Sequence, residues 1–319
     1  MNTSNIYRNI TLDKLTEGDV GSTKKVCGWV ENIRDHGGVS FIDLRDMYGV
    51  LQVVMRDTTL LDGINKEDCI SIEGVIDHRD EDTYNPKIPT GTIELEAHKV
   101  EILGKVYRQL PFEVATSKEI REDVRLKYRY LDLRNTKVRD NMIFRSKVIS
   151  FLRQKMTEMG FLEIQTPILC ASSPEGARDY LVPSRNYPGM FYALPQSPQI
   201  FKQLLMVSGF DKYYQVAKCF RDEDLRANRQ PEFTQIDLEM SFVEQDDVMA
   251  LNEGLIAHVF KEVLGHEVKL PIKRMPFKEA MEKYGSDKPD LRFGMEITDI
   301  TDCVKGMDFV VFKSALEMG

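Results

Sequence analysis

YYQVAKCFRDEDLRANRQPEFTQIDLEMSF, residues Tyr213 to Phe242, decides the reading of this chain. It reads as strand, polar loop, strand. The first arm, Tyr213 to Phe220, is apolar and aromatic, and the loop from Arg221 to Arg229 holds three arginines among four acids or amides. After Gln230-Pro231-Glu232, the residues Phe233, Gln235, Asp237 and Glu239 alternate with Thr234, Ile236, Leu238 and Met240. Period-two alternation gives a strand with two unlike faces. One face is apolar, and the other offers a ring, an amide and two carboxylates. An arginine fork at the hairpin exit beside those groups suits a ligand bearing phosphate, ammonium and a flat base. An ordinary hairpin with a salt-bridged tip is the plainer alternative. Two carboxylates facing one way with no basic neighbour on the strand weigh against it.

The rest of the chain sets the bounds. At 319 residues, with 42% hydrophobic and 29% charged content, it has room for two domains with real cores. No apolar run approaches the ~20 residues of a membrane helix, and Met1 to Ile10 lacks the blocks of a signal peptide. Cys27, Cys69, Cys170, Cys219 and Cys303 are scattered without a C-x-x-C, and the five histidines are equally dispersed. Reduced thiols in a cytoplasmic protein and no metal site are expected. Residues 1–105 carry 12 Lys/Arg against 19 Asp/Glu, residues 106–160 carry 13 against 7, and residues 161–319 carry 18 against 25. The central basic block holds Arg121, Arg125, Lys127, Arg129, Arg134, Lys137 and Arg139. Composition leaves two readings open for it, a solvated helical face and a phosphate-contact strip.

Five strand-like runs fill the first hundred residues: Lys24–Val30, Val39–Leu44, Gly49–Met55, Cys69–Ile76 and Thr92–Ile102, with a helix-compatible stretch Thr59–Glu67 between the third and fourth. That element order is the order of an OB-fold, a barrel that often grips single strands by stacking bases on aromatics. Phe41 is the candidate platform, with Arg34 and Gln52 as phosphate and edge readers, although Phe41 in the core fits the pattern equally. A helix is expected from about Asn141 to Met159, with Phe144, Val148, Leu152, Met156 and Met159 in one apolar stripe. Further helices are expected over Pro198–Ser208 and Asp247–Leu264, and a strand over Phe161–Leu169 broken by Pro167.

The Tyr213–Phe242 stretch resembles motif 2 of the class II aminoacyl-tRNA synthetases, in the form found in the aspartyl-tRNA synthetases. Three further segments carry the resemblance. Gly160-Phe161-Leu162-Glu163-Ile164-Gln165-Thr166-Pro167 looks like motif 1. Pro174-Glu175-Gly176-Ala177-Arg178-Asp179-Tyr180-Leu181-Val182-Pro183 looks like the loop that closes over bound aspartate. Gln196-Ser197-Pro198-Gln199, followed by Lys202, looks like the amino-acid-recognition segment. The resemblance runs from about residue 20 to the last residue.

It implies an α+β protein: a five-stranded OB-fold barrel for anticodon binding over residues 1–106 and a hinge over 107–140. An incomplete class II antiparallel-sheet catalytic domain would follow over 141–285, and the opening of an inserted domain over 286–319. The implied reaction is ATP-dependent activation of L-aspartate and its transfer to tRNA(Asp), with tRNA(Asn) as a second acceptor. The His36-Gly37-Gly38 turn resembles that of members that charge both tRNAs. Arg221 would bridge the ATP α-phosphate and the attacking carboxylate as the catalytic group. Asp222, Glu223, Gln230 and Phe233 would complete the ATP site, Phe233 by stacking on adenine. Asp222 also reads as a structural partner within its own loop. Lys202 would meet the side-chain carboxylate of aspartate, and Glu175, Gln199 and Asp237 its α-ammonium. Arg178 and Asp179 would pair to hold the closing loop. Arg34, Phe41 and Gln52 match the anticodon positions, and the helix and strand of motif 1 would form a homodimer interface. Magnesium is expected with ATP, with no ligands for it in this chain. No G-x-G-x-G-x-D-R segment is present, so the chain is read as the N-terminal portion of such an enzyme and expected to be inactive alone. The rivals are an asparaginyl- or lysyl-tRNA synthetase of the same subclass, and a non-catalytic tRNA-binding fragment. Lys202 argues against an amide or ammonium substrate.

Overall fold

The computed structural model describes residues 4–173 and 175–318, so Pro174 of the P-E-G-A-R-D-Y segment lies outside the described residues. The chain divides into two units, Met1–Asp132 and Leu133–Gly319.

In the first unit, β1 (Thr23–Asp35), β2 (Ser40–Arg45), β3 (Val50–Met55), β4 (Cys69–His78) and β5 (Ile93–Gly104) close a barrel in the order β1-β2-β3-β5-β4. All neighbours are antiparallel except β3 and β5. Alternate residues point inward, so Val26, Val30, Ile42, Leu44, Leu51, Val53, Ile70 and Ile72 are fully buried. Phe41 and Asp43 take the opposite parity, which settles the Phe41 question: it lies on the outer face and is only half-buried. Gly28 permits β1 and β2 to close, since a Cβ there would stand 2.4 Å from the Arg45 carbonyl oxygen. The expected Thr59–Glu67 helix is only a 3-10 turn, Thr58–Leu61. Gly63 at φ 75 and Glu67 at φ 64 turn the chain out of helical geometry. Glu67 thereby reaches Arg45, and the two make a buried double hydrogen bond at 2.8 and 2.9 Å.

The connecting segment has its own structure: a 3-10 turn at Val114–Glu119, then α1 (Glu122–Lys127) and α2 (Arg129–Asp132), around a small core of Phe112, Val114 and Leu131. At its centre Asp132 is fully buried and accepts from the Ser117 hydroxyl at 2.9 Å and Arg125 at 3.0 and 3.2 Å, and from Arg129. Burial pushes the Asp132 carboxyl up, but the Arg125 and Ser117 bonds and the two guanidinium charges outweigh it and hold it below the usual range. Part of the basic block is thus neutralised internally, with Arg121 also paired to Asp123 at 2.9 Å.

The second unit opens with α3 (Thr136–Glu158), which starts earlier than expected because Asn135 caps it, accepting from the Lys137 and Val138 amides. It is followed by β6 (Leu162–Glu163), β7 (Leu181–Pro183), β8 (Phe191–Ala193), α4 (Gln199–Val207), β9 (Lys212–Phe220), β10 (Glu232–Met240), α5 (Gln245–Leu264), α6 (Phe277–Tyr284), α7 (Thr301–Val304) and α8 (Val310–Met318). The main sheet runs β10-β9-β6, and β7 pairs with β8. Here β9 and β10 are antiparallel while β6 is parallel to β9, so the sheet is mixed where a wholly antiparallel one was expected. The expected Phe161–Leu169 strand shrinks to two residues. Beyond them the Thr166 amide donates to the Gln215 side chain at 2.7 Å rather than to a neighbouring strand. The apolar stripe of α3 splits. Met156 is buried with Phe161, Tyr214 and Leu255, and Leu152 and Met159 pack on that core, whereas Phe144 is 45% exposed.

Candidate active site and nucleic-acid face

The in-register pairing of β9 and β10 sorts their side chains. Phe233, Gln235, Asp237 and Glu239 stand opposite Cys219, Ala217, Gln215 and Tyr213 and share one face with them. The other face carries Tyr214, Leu238 and Met240 into the core with Met156 of α3 and Leu255 of α5. The polar face therefore has no apolar cover from those helices, and α4 reaches it instead.

From α4, the Lys202 ammonium lies 3.0 Å from Asp237 Oδ1 and 3.2 Å from Glu239 Oε2. Lys202 and Asp237 are nearly buried, with side chains 12% and 2% exposed. Two carboxylates around one ammonium leave the trio one negative charge in excess. The second oxygen of Asp237, Oδ2, and the Tyr213 hydroxyl are buried with no hydrogen-bond partner. Burial raises the Asp237 carboxyl above its usual range, and Lys202 opposes that rise. Burial acts to lower the Lys202 ammonium, but Asp237 and Glu239 together hold it above its ordinary value. Desolvation and the charge of Asp237 also push the Tyr213 hydroxyl up, and the Cys219 thiol up to about 11. The expectation kept Lys202 and Asp237 for opposite ends of a substrate; here they hold each other.

At the far end of the same face, the Arg221 guanidinium stacks over the Phe233 ring at 5.1 Å. Together with Glu223, Asp224, Asn228 and Gln230 they line a cavity of about 380 Å³. Four of the five expected nucleotide contacts therefore converge. Asp222 does not line it. It is a structural partner, but of another segment than expected: its amide donates to the Arg178 carbonyl at 3.0 Å and its carboxylate lies 3.7 Å from the Arg178 guanidinium. The expected Arg178–Asp179 pair is thereby replaced. Asp179 instead accepts from the Ser172 hydroxyl and from Gln196 Nε2, each at 2.5 Å, because the two residues point to opposite sides of an extended stretch. Phe233 and Asp237 are four residues apart on one strand, about 13 Å along its axis.

Glu175 accepts from the Ser197 hydroxyl at 2.5 Å and from Ser173 at 3.3 Å. Gln199 is half-buried in the first turn of α4, one turn before Lys202 and so on the same helix face. Among the described residues no three His, Cys, Asp or Glu side chains converge as a metal site.

In the first unit, Arg34, Phe41 and Gln52 lie together on the outer barrel face. Arg34 faces Phe41 across β1 and β2, makes a double hydrogen bond to Asp43 at 2.6 and 2.8 Å, and donates to Gln52 at 3.1 Å. Gln52 donates to Glu94 at 2.6 Å. Burial raises the Glu94 carboxyl, and the Gln52 hydrogen bond opposes it. The His36 ring meets Phe41 edge-on at 5.6 Å. A half-exposed ring flanked by donors and acceptors suits an unstacked base.

One unit is a closed five-stranded barrel, and the other holds a strand hairpin with a cavity at one end and a buried charged trio toward the other. The sequence matches the family model described as tRNA synthetases class II (D, K and N) over residues 121–312, and that of the OB-fold nucleic acid binding domain over residues 24–103. The chain belongs to the class II tRNA synthetases of this group. The curated aspartate–tRNA ligases of Clostridium botulinum and Clostridium perfringens are each 58% identical to it, over 98% of this chain and 53% of their own. That of Clostridium acetobutylicum is 55% identical over the same shares. The chain thus spans about half the length of the curated relatives it matches. Among solved structures, a putative aspartyl-tRNA synthetase from Leishmania major shares the fold with a TM-score of 0.73 at 23% identity, covering 83% of this chain and 55% of that one. The asparaginyl-tRNA synthetase of Pyrococcus horikoshii in complex with asparaginyl-adenylate shares it with 0.70 at 22%, covering 80% and 58%.

Sequence reasoning missed Glu239 as the second partner of Lys202, although its alternation with Asp237 in the hairpin was the signal. It also missed Asp43 and Glu94, and placed Gln196 and Ser197 in the recognition segment without giving either a partner. No local pattern could have found Glu94, since it meets Gln52 only through the parallel pairing of strands 42 residues apart.

Proposed function

We propose that this chain carries the aspartate-activating and anticodon-reading sites of an aspartate–tRNA ligase. The observation that supports this most is the Lys202–Asp237–Glu239 trio on the sheet face that also bears Arg221 over Phe233. An α-amino acid with an acidic side chain fits the trio better than its relatives do. Its ammonium goes to Asp237 Oδ2 and to Glu175. Its side-chain carboxylate takes Lys202. An amide in that place adds no anion to Lys202 beyond Asp237 and Glu239, and is expected to lose on the order of 100-fold in affinity, the ratio that about 3 kcal/mol sets.

The α-carboxylate oxygen of aspartate then attacks the α-phosphorus of ATP. A new P–O bond forms, and pyrophosphate leaves with the electron pair of the broken bond. Arg221 holds the attacking carboxylate and the α-phosphate together, so the protein contributes positioning and charge neutralisation. Phe233 stacks on adenine, with Glu223 and Gln230 at its polar edges. The aspartyl adenylate passes its acyl group to the terminal ribose of tRNA(Asp), with tRNA(Asn) the second candidate acceptor. Phe41, Arg34 and Gln52 read the anticodon. Magnesium accompanies ATP, and the working enzyme is a cytoplasmic homodimer; no helix among the described residues is long and apolar enough to cross a membrane.

Calorimetric titration with non-hydrolysable adenylate analogues tests the reading. The aspartyl analogue binds this chain at least about 100-fold more tightly than the asparaginyl or lysyl one; equal affinities refute the substrate assignment. The 319-residue chain shows no aspartate-dependent pyrophosphate exchange, because it holds no second arginine-bearing motif for the γ-phosphate. Robust exchange overturns that part.

A further inference from the structure

We infer that Gln196 is a positioning residue for the amino-acid site: its buried amide clamps Ala177–Asp179 and so sets where Glu175 stands. The inference rests on the aspartate reading above and goes beyond it.

Gln196 is 2% exposed. Its Oε1 accepts from the Ala177 amide at 3.0 Å, and its Nε2 donates to the Ala177 carbonyl at 2.8 Å and to Asp179 Oδ1 at 2.5 Å. It also lies 3.5 Å from the Ser173 carbonyl. A single side chain therefore satisfies both backbone groups of Ala177, as a neighbouring strand would, one residue before Arg178 meets Asp222 in an isolated antiparallel bridge. An amide offers an acceptor and donors together on this spacing at any pH, whereas a carboxyl does so only when protonated. The next residue, Ser197, holds Glu175. The dipeptide Gln196-Ser197 thus fixes both the backbone of the segment and the carboxylate it delivers. Both residues precede α4, which carries Lys202, so one stretch of chain places the two charges that meet the substrate.

Cys170, Glu175 and Asp179 are the titratable groups that line the same cavity of about 150 Å³, and no lysine or arginine lines it. A carboxylate at position 196 would find no cation there, only Asp179 and the Ala177 carbonyl opposing it. Gln196→Glu should therefore release the segment at pH 8, and recapture it at pH 5 when the protonated carboxyl regains a donor. Gln196→Met should release it at both.

Hydrogen exchange of peptides spanning residues 172–180, corrected for the intrinsic pH dependence of exchange, reads this directly on the intact chain. Protection in wild type is equal at both pH values. In Gln196→Glu it falls about tenfold or more at pH 8 and returns at pH 5, and in Gln196→Met it is lost throughout. Unchanged β9–β10 protection reports that the fold is intact, and recovery in acid is a gain that a misfolded variant does not show. Equal exchange in wild type and variants, or loss in Gln196→Glu that acid does not reverse, overturns the inference. In a second arm, aspartyl adenylate analogue binding by Gln196→Glu follows the same pH course, weak at pH 8 and restored at pH 5. Affinity independent of pH in that variant refutes the link to the site. Failure of wild type itself to bind the analogue refutes the aspartate reading instead, and leaves the exchange result to stand alone.

Discussion

Lys202→Met removes the one cation between Asp237 and Glu239 and leaves a nearly buried carboxylate facing a second one. Breaking a buried pair by deleting one partner costs about 3–5 kcal/mol. Glu239 is 35% exposed and keeps part of its hydration, so the lower end, about 3 kcal/mol at pH 8, is expected. With a urea m-value of about 2 kcal/mol/M, that moves the midpoint of the second unit by about 1.5 M. The sign with pH follows from Asp237. Its folded carboxyl is already raised above 3.8 by burial, and loss of Lys202 raises it further. In the variant, stability falls as pH rises through that raised value and is regained in acid, where Asp237 is protonated. The deficit against wild type is therefore largest at pH 8 and shrinks toward pH 5. Urea titrations followed by two signals separate the units. The only tryptophan, Trp29, sits in β1 and reports the first unit alone, whereas far-UV circular dichroism reports both. The Trp29 transition should be unmoved. A deficit below about 0.5 kcal/mol, or one that is the same at pH 5 and pH 8, refutes the argument that Lys202 is there to hold an ionised Asp237.

Gly28→Ala forces a methyl to within 2.4 Å of the Arg45 carbonyl oxygen, and should lower the Trp29-monitored transition by about 2 kcal/mol or more. Phe41→Ala should weaken binding of an anticodon stem-loop by about 1–3 kcal/mol, the worth of one stacked base, while the same Trp29 transition stays in place. Asp132→Asn strands Arg125 and Arg129, and should cost about 2–3 kcal/mol at pH 7, discounted because both guanidiniums reach solvent. The folded Asp132 carboxyl is held below 3.8. The wild-type advantage is therefore present above pH 4 and vanishes as pH falls through the folded value, a trend that unfolding at pH 3 and pH 7 measures.

The barrel was legible because most of its strands alternate and all are bounded by turn residues, although β3 is buried along nearly its whole length, so the five expected runs overlap the five observed strands. The hairpin was legible for the same reason. What failed was set by contacts distant in sequence. Phe161–Leu169 looks like a strand, but a strand needs a partner: Ile164 still donates to the Tyr214 carbonyl, and by Thr166 the Gln215 side chain takes the bond instead. The stretch Thr59–Glu67 has helical spacing, yet the Arg45–Glu67 pair requires Glu67 at positive φ. At the site, residue types and their approximate roles could be read from the hairpin and the Q-S-P-Q-x-x-K segment. Which charge answers which could not: Asp222 reaches Arg178, and Gln196 takes Asp179, across loops that carry no periodic signal. Composition left the basic block open between two readings, since counting Asp132 among its acids does not show that it lies buried against Arg125 and Arg129.

Phe233 and Asp237 sit on one strand, so their separation is fixed by the covalent repeat of extended chain and not by how side chains pack. Under the proposed function, such a strand would act as a ruler with a nucleotide mark at one end and an amino-acid mark at the other. Chemistry at the second mark can be exchanged, carboxylate for amide or lysine for a neutral group, without moving the first. Under the proposed function, a scaffold graduated this way would let one nucleotide site serve several amino acids, each change confined to a few side chains about 13 Å along the strand from Phe233.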